Sequence, residues 1–385
     1  MIRACFLVHS AAPSGAELAT LRLLSALRRP GHRRIDTVLC YTEGGPMVRR
    51  TRDLGIETWV VRGPFDSRTL TIDGADVRGL LRACLGLLRT GWTLGAAVRD
   101  GGATVIVAQS TKALAMGAIA ARRARVPLIW QVHDRVSAEY FGRGLARAIR
   151  GFGWLVADGY LVNSYSTLAS LSTWRRRHAV AYPGVESGGA AGEQRSAQRP
   201  AAQTVLVVLG RLTPWKGQHV LLRALAEVRT RPREVYLVGG TFFGEESYRA
   251  ELARLAVALD IPVRFTGHVD DPGEYLRRAD ILVHCSVLAE PFGQVVVEGM
   301  RAGCAVIATR PGGPEEIIEP ERSGLLVDGG DQAGLTRALD RLIGDRALRE
   351  RLSAAAVARA ARFDIAETAT VVAGFLDGVR GAHAR

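Results

Sequence analysis

Short hydrophobic runs alternate along the whole chain with segments whose apolar residues recur at helical spacing. In the first half, the runs predict strands at Arg3–His9, Ile35–Tyr41, Glu57–Arg62, Thr104–Ala108, Leu128–Val132 and Gly159–Val162. In the second half, they predict strands at Thr204–Leu209, Glu234–Val238, Val263–Thr266, Ile281–His284, Ala305–Ala308 and Gly324–Val327. Strands that alternate with helices are typical of parallel sheets covered by helices. The pattern therefore predicts an α/β protein that consists of two Rossmann-like domains.

The segments with helical spacing fall between these strands. In the first half they are Gly15–Leu27, Val77–Val98, Lys112–Arg123 and Ser164–Trp174. In the second half they are Gly217–Val228, Tyr248–Leu259, Gln294–Ala302, Ala333–Ile343, Ala347–Arg362 and a last segment, Ile365–Val379.

The chain has 385 residues, which is too long for one ordinary hydrophobic core. Residues 187–202, with the sequence SGGAAGEQRSAQRPAA, have the small-residue composition of a linker. We therefore predict an N-terminal domain at residues 1–185, a linker at 186–202 and a C-terminal domain at 203–363.

The net charge of +13 is distributed unevenly. Residues 1–185 contain 26 Lys and Arg against 12 Asp and Glu, a net +14, whereas residues 186–385 contain 25 against 26, a net −1. The excess predicts that the first half faces an anionic partner, such as a membrane leaflet, a phosphate-bearing acceptor or a nucleic acid. The alternative explanation of the charge excess is a general arginine-rich composition, although such a composition should enrich both halves in arginine.

The five cysteines, at positions 5, 40, 84, 285 and 304, show neither metal-ligand spacing nor a CxxC pair. They are expected to be reduced core thiols of a cytoplasmic protein. The first residues lack a signal-peptide layout, and the most apolar long segment, Leu80–Val98, contains Arg82 and Arg89. Neither segment is therefore expected to enter or cross a membrane.

Residues 290–298, with the sequence EPFGQVVVE, form the most informative motif. They follow a predicted buried strand, and Glu290 and Glu298 are about two helical turns apart. Gly293 allows a ligand to approach the backbone, and the free amides of a helix start attract phosphate. Carboxylates for hydroxyl groups and amides for a diphosphate together indicate a nucleotide-sugar site. A surface corner with two solvated glutamates is the alternative interpretation.

Other strand ends in the second half carry compatible chemistry. The predicted strand at Thr204–Leu209 leads into a loop that contains Arg211 and Lys216, and an arginine fork with a lysine charge suits a pyrophosphate. The next strand ends in Gly239 and Gly240, and a later one is followed by the glycine turn RPGGPE at 310–315. All these ends lie at the edge where open α/β sheets bind ligands.

Five motifs then occur in a characteristic order: GRLTPWKG at 210–217, LVGG at 237–240, FTGHVDD at 265–271, EPFGQVVVE at 290–298 and ATRPGGPEEII at 308–318. With this order and spacing, residues 204–328 resemble family 4 retaining glycosyltransferases of GT-B fold. The first half resembles the family more loosely, through SGAE at 14–17, QVHD at 131–134, NS at 163–164 and YPGVE at 182–186. The resemblance implies two Rossmann-like domains that face each other across a cleft, with residues 364–385 returning as a helix to the first domain.

The resemblance also implies roles for single residues. Arg211 and Lys216 would hold the donor diphosphate and stabilise the leaving group, Glu290 would bind sugar hydroxyls, and His133 would contact the transferred sugar. The residues implied in donor binding are Gly15, Gly239, Gly240, Phe292, Gly293, Gln294 and Glu298. For His133, a buried strand-end histidine without a ligand is the alternative interpretation, and His219 and His284 are expected to be ordinary core or helix-face residues.

Departures from the family pattern leave these charged residues in place. This chain has Ser14-Gly15, Cys285-Ser286 and Glu298-Gly299 where the family often has Gly-Gly, Pro-Ser and Glu-Ala. Neither Asp270-Asp271 nor Asp73 with Asp76 forms a metal-binding DxD. We therefore expect a metal-independent reaction without a cofactor, in which Arg211 and Lys216 replace the metal. The family is thought to retain stereochemistry through attack on one face, so no carboxylate nucleophile is expected.

Residues 142–155 place Arg143, Arg147 and Arg150 at helical spacing beside Leu145, Ile149, Phe152 and Trp154. This pattern resembles an interfacial amphipathic helix and predicts a peripheral position at the inner face of the plasma membrane. A helix packed inward with its arginines in water is the alternative. A lipid-linked sugar acceptor would follow from membrane binding, and a small soluble acceptor would follow from its absence.

The predicted function is that of a hexosyltransferase for cell-surface glycan, glycolipid or secondary-metabolite biosynthesis. A nucleotide-sugar epimerase of the same architecture is one alternative, and the complete motif at 290–298 argues for transfer instead. A non-catalytic protein that binds anionic surfaces is another. Nucleic acid is not expected as a partner, because aromatic residues make up 6% of the chain and no nucleic-acid motif accompanies the arginines.

Overall fold

A computed structural model of the protein describes residues 2–29, 31, 35–63, 77–186, 200–241 and 244–383, with only the backbone for 77–84 and 380–383. The chain divides into two compact units, Met1–Gly184 with Ile365–Arg385 and Val185–Asp364. Most of the predicted linker, the pair Asp73 and Asp76, and the side chain of Cys84 lie outside the described residues.

The described part of the first unit contains a seven-stranded parallel sheet in the order β3-β2-β1-β4-β5-β6-β7. Its strands are β1 (Ile2–Val8), β2 (Ile35–Tyr41), β3 (Glu57–Val60), β4 (Val105–Ala108), β5 (Leu128–Val132), β6 (Gly159–Val162) and β7 (Arg177–Val180). Its helices are α1 (Gly15–Leu27), α2 (Pro46–Asp53), α3 (Val77–Asp100), α4 (Thr111–Ala124), α5 (Ala138–Phe141), α6 (Arg143–Val156) and α7 (Tyr165–Leu168). The strand order reverses direction next to β1, and ligands bind open α/β sheets at such a switch point.

The first unit corrects one predicted helix. Residues 164–174 do not form a continuous helix, because α7 ends at Leu168. The hydroxyl of Ser170 donates to the carbonyl of Thr167 at 2.6 Å and accepts from the amide of Val136 at 3.0 Å. The side chain thus bonds to backbone groups where a further helical turn would have been. The strand β7 follows this segment and was not predicted.

In the second unit, the described residues form a six-stranded parallel sheet in the order β10-β9-β8-β11-β12-β13. The strands are β8 (Val205–Leu209), β9 (Glu234–Val238), β10 (Val263–Gly267), β11 (Ile281–Val283), β12 (Ala305–Arg310) and β13 (Leu325–Asp328). The helices are α8 (Gln218–Ala226), α9 (Glu246–Ala258), α10 (Gly273–Arg278), α11 (Gln294–Arg301), α12 (Pro314–Ile317), α13 (Gln332–Gly344) and α14 (Arg346–Ala360). Every residue of β8 and β11 is buried, as expected for central strands covered on both faces.

The last helix, α15 (Ile365–His383), belongs to the first unit. Ile365, Ala369, Val372 and Leu376 lie on one face of α15, are at most 1% exposed and pack in the core beside β1 and α1. The side chains follow the spacing of one helix face, so burial of this stripe fixes the helix on the first unit. The predicted returning helix is confirmed.

Two further expectations concern the core and the membrane. Cys5, Cys40, Cys285 and Cys304 are buried and carry free thiols. Within the described ranges, no helix combines the length and the apolarity that crossing a membrane requires.

Candidate functional site

The loops after β8 and β11 pack against each other in the second unit. Gly217 adopts a φ of 71°, and a Cβ at this position would collide with the carbonyl oxygen of Cys285. Only glycine therefore fits this close approach without strain. The thiol of Cys285 in turn lies 3.3 Å from the carbonyl oxygen of Lys216. The packing places Lys216 beside the segment that carries Glu290.

Lys216 and Glu290 form an ion pair at the centre of these loops. Lys216 Nζ lies 2.6 Å from Glu290 Oε2, and the side chains are only 16% and 12% exposed. The ammonium group also lies 4.3 Å from the ring centroid of Trp215, so the ring packs on the cation. Burial would raise the pKa of Glu290, but the charge of Lys216 and hydrogen bonds from His284 and Lys216 hold that pKa well below its usual range. Glu290 is therefore a carboxylate at any working pH.

His284 is buried, as expected for a core residue, and it also contacts Glu290 in this cluster. Its ring is 3% exposed, and its Nε2 lies 3.1 Å from Glu290 Oε2. The hydroxyl of Ser286 donates to the same carboxylate oxygen at 2.9 Å. On the other side of the ring, Nδ1 lies 3.2 Å from the hydroxyl of Thr309 in β12. His219, by contrast, contacts Tyr248 on the neighbouring helix, as expected for a residue outside the site.

The glycine turn after β12 lies on the loop that contains Glu290. The amide of Gly313 donates to the carbonyl of Glu290 at 2.9 Å, and a Cβ at Gly313 would collide with the backbone of Phe292. Phe292 is 3% exposed, and its ring packs on that of Phe363 with 5.9 Å between the ring centroids. Gly293, with a φ of 93°, precedes α11. The amides at the start of α11 therefore remain an anion-binding feature.

The remaining residues predicted on the second unit lie at the same edge of its sheet. Gln294 Nε2 donates to Glu298 Oε1 at 2.7 Å on α11, which fixes the carboxylate of Glu298. Gly239 has a φ of 144°, and a Cβ there would collide with the loop after β8, while Gly240 accepts a hydrogen bond from that loop at 3.0 Å. Arg211 is partly buried, and the described residues provide no partner for its guanidinium.

The first unit holds the two remaining predicted residues. His133 follows β5, and its Nε2 lies 2.8 Å from Gln109 Oε1. Burial lowers the pKa of His133 to about 4, and the amide of Asn163 donates to its carbonyl oxygen at 2.7 Å. Gly15 begins α1, and a Cβ there would meet no atom within 4 Å. Packing inside the unit therefore gives no reason for glycine at position 15.

The sequence analysis missed a cluster of polar side chains around His9, which lies, like His133, at the carboxyl ends of the strands of the first sheet. His9 Nδ1 lies 2.8 Å from the hydroxyl of Ser110, which caps α4. Burial and the charge of Lys112 lower the pKa of His9 to about 4, against the opposing charge of Glu43. A signal was present in the sequence: only Lys112 and Lys216 are lysines among 51 basic residues. Both lysines follow strand ends.

Beside this cluster, the surface has a concavity of about 590 Å³. Its lining residues are Gly44, Gly45, Val48, Arg49, Arg52, Asp53, Val60 and Arg62. The three arginines are exposed, and the described residues offer their guanidinium groups no ion-pair partner. The concavity is therefore a positive surface next to the strand-end loops.

The exposed face of α6 carries an apolar stripe. Ala146, Ile149 and Gly153 are the buried residues of this helix, whereas Leu145, Phe152 and Leu155 are 37%, 36% and 64% exposed. The alternative of a helix whose apolar side chains all pack inward thus holds for Ile149 and not for these three side chains. Trp154 stacks on Trp174, which is 66% exposed, and Arg175 and Arg176 lie over the two rings.

No group of three or more His, Cys, Asp or Glu that could hold a metal ion is found among the described residues. The groups that surround Glu290 are an ammonium, an imidazole and a hydroxyl. This set suits the recognition of phosphate and sugar hydroxyl groups.

Comparison with known proteins agrees with this geometry. Residues 192–359 match the family described as Glycosyl transferases group 1, and residues 14–191 match the Glycosyl transferase 4-like domain. Among solved structures, HepE of Anabaena in complex with UDP-glucose superposes with a TM-score of 0.81 at 26% identity, covering 98% of this chain and all of that one. This superposition shows the GT-B fold.

Curated relatives match over shorter lengths. The lipopolysaccharide core biosynthesis glycosyltransferase LpsE of Rhizobium meliloti is 36% identical over 40% of this chain and 44% of its own length. A D-inositol 3-phosphate glycosyltransferase of Nocardioides sp. is 32% identical over 66% of this chain and 62% of its own length. The chain thus spans less than two thirds of these relatives. The two family matches run consecutively from residue 14 to residue 359, so the first half of the chain is a glycosyl transferase 4-like domain and the second half is a domain of the glycosyl transferases group 1 family.

Proposed function

We propose that the protein is a retaining, metal-independent glycosyltransferase that moves a sugar from a nucleoside-diphosphate sugar to a hydroxyl acceptor in glycan biosynthesis. The observation that carries the proposal is the partly buried Lys216–Glu290 pair at the ligand edge of the second sheet. The complexes of HepE with UDP and with UDP-glucose make a UDP-sugar the first donor to test.

Each group of the second unit has a defined task in this proposal. Lys216 and Arg211 neutralise the diphosphate and the charge that develops on it as it leaves. Glu290 accepts hydrogen bonds from sugar hydroxyls, and Glu298 accepts them from the ribose. Close approach of the backbone at 239–240 and amides at the start of α11 complete the donor site. Gly15 and His133 of the first unit are proposed to contact the diphosphate and the transferred sugar.

The proposed step needs no side-chain nucleophile. The bond between the anomeric carbon and the β-phosphate oxygen breaks, and a bond from the acceptor oxygen forms on the same face. The acceptor proton passes to the phosphate oxygen that has just been released. The task of the protein is to stabilise the negative charge, and Lys216 is well placed for it because water screens a 16% exposed side chain poorly.

We expect the protein to bind and slowly hydrolyse one donor from a panel of UDP-, GDP-, ADP- and dTDP-sugars in the presence of EDTA. Calorimetry measures binding, and nucleoside-diphosphate release measures turnover. If a UDP-sugar binds and EDTA does not weaken this binding, the result supports a UDP-sugar as the donor and a site that works without a metal. If no nucleotide sugar binds, the proposed function is wrong; if binding needs a divalent cation, its metal-independent form is wrong.

We further propose that the acceptor is a lipid-linked sugar and that the first unit binds an anionic membrane surface. The support is the net charge of +14 in residues 1–185 and the stripe of Leu145, Phe152 and Leu155 on α6. An exposed apolar stripe beside arginines is the pattern of a helix that lies in a membrane interface. The exposed arginines around the concavity at 44–62 add to the same positive surface.

The triple change of Leu145, Phe152 and Leu155 to serine should reduce co-sedimentation with phosphatidylglycerol-containing vesicles at low salt by about tenfold or more. Removal of three partly exposed apolar side chains costs more than the roughly 1.4 kcal/mol that a tenfold change represents. Val257→Ser is the matched control, because Val257 is 82% exposed on the second unit. Equal sedimentation of the triple variant, or none by the unmodified protein, would refute the membrane proposal.

A further inference from the structure

His284 lies between the two chain segments that form the wall of the proposed sugar site. It directly follows β11, and its Nδ1 faces Thr309 near the end of β12. The backbone N–H of Thr309 donates to Nδ1 at 3.4 Å. Since a backbone N–H can only donate, this contact favours the tautomer in which Nδ1 accepts and Nε2 carries the proton.

This tautomer directs the Nε2–H group at Glu290. Glu290 Oε2 receives hydrogen bonds from Lys216 at 2.6 Å, from Ser286 at 2.9 Å and from His284 at 3.1 Å. The other carboxylate oxygen, Oε1, has no hydrogen-bond partner among the described residues, yet it is not a buried unsatisfied atom. Oε1 is therefore the oxygen that a ligand can reach.

We propose that His284 is a positioning residue that selects the donor sugar by fixing the carboxylate of Glu290. The protein saturates Oε2 and presents Oε1 to a hydroxyl of the sugar. This inference rests on the proposed function and deepens it, because it concerns which sugars the same site accepts.

The proposal gives His284 and Ser286 a task that Lys216 cannot perform alone. When a donor binds, the ammonium group of Lys216 is drawn towards the diphosphate. His284 and Ser286 remain as donors to Oε2, so the carboxylate keeps its orientation without the lysine. A site that is built to bind a hydroxyl group discriminates strongly against the analogue that lacks it, because a buried oxygen is then left unpaired.

The test measures kcat/KM for the preferred donor and for each of its monodeoxy analogues. His284→Leu should lower kcat/KM for the intact sugar by about 10–100-fold, the usual effect of losing a group that orients a ligating residue. The same change should barely affect the analogue that lacks the hydroxyl bound by Glu290, so the discrimination between the two donors collapses. His284→Gln places an amide N–H near the position of Nε2 and should restore discrimination, whereas His219→Leu should leave it unchanged.

Two further measurements make the outcome decisive. The affinity for the nucleoside diphosphate of the preferred donor should be the same in all variants, since this product carries no sugar; unmodified protein that binds none of the four nucleoside diphosphates or their sugars would refute the proposed function itself. If His284→Leu binds the nucleoside diphosphate and discriminates as before, His284 is a core residue and the inference is wrong. Nitrogen-15 spectra of the unmodified protein give an independent test if a variant fails to fold: the Nε2–H tautomer supports the proposal and the Nδ1–H tautomer overturns it.

Discussion

Replacement of Lys216 with alanine should lower kcat by about 10²–10³-fold, which corresponds to roughly 3–4 kcal/mol of transition-state stabilisation. The effect is large because the cation is already in place before the reaction. The free protein already holds Lys216 beside the proposed donor site, 2.6 Å from Glu290 and packed on Trp215, so only a short movement towards the diphosphate is needed when a donor binds. Lys216→Arg should recover only part of the activity, because a planar guanidinium cannot replace a compact ammonium in this space.

The measurement is single-turnover transfer at saturating donor. Arg229→Ala is the control, because the Arg229 side chain is 92% exposed and also belongs to the second unit. Glu290→Gln and the double variant with Lys216→Ala complete a mutant cycle. Since the two side chains are in direct contact, their effects should be far from additive. A kcat of Lys216→Ala within a factor of about three of the unmodified enzyme would remove the lysine from the chemical step.

The position of Lys216 and Glu290 could be predicted because both follow strands whose hydrophobic runs are unmistakable. Parallel strands bring their carboxyl ends to one edge of a sheet, so residues 74 positions apart in sequence become neighbours. The glycines in these loops also helped to predict the site. Gly217 and Gly313 allow backbone segments to approach each other more closely than a Cβ permits.

His284 could not be predicted, because it extends a buried strand and its neighbours in sequence give no sign of a partner. Its role depends on Thr309 and Glu290, which reach it only after β11 and β12 pair. The stripe on α6 was predicted only in part for a similar reason. Helical spacing shows which side chains share a face, but the packing of Ile149 inward and of Phe152 outward depends on the sheet beneath.

The first unit should lose stability as the pH falls from about 6.5 to about 4, because two of its histidines are held neutral by the fold. The pKa values of His9 and His133 are lowered to about 4, by burial in both cases and also by the charge of Lys112 for His9. In the unfolded chain both rings take up a proton near pH 6.5, so the unfolded state binds more protons within this window. The free energy of unfolding must therefore decrease as the pH falls through it. At pH 5 the loss should reach at most about 2 kcal/mol for each histidine, and less where solvent reaches the ring.

Urea unfolding at pH 7 and pH 5, followed by tryptophan fluorescence, tests this expectation for the correct unit, since five of the six tryptophans lie in residues 1–184. His133→Gln and His9→Asn should each reduce the difference between the two pH values, whereas replacement of the exposed His178 by Gln should not. Glu17 opposes the trend, because burial raises its pKa and the folded state then holds its proton more tightly. Glu17 is unchanged in every variant, so the comparison between variants cancels its contribution.

A pH dependence that is the same with and without His133 and His9 would mean that neither ring is held neutral; a protonated His133 could then donate to a sugar hydroxyl at acidic pH but could not accept from it.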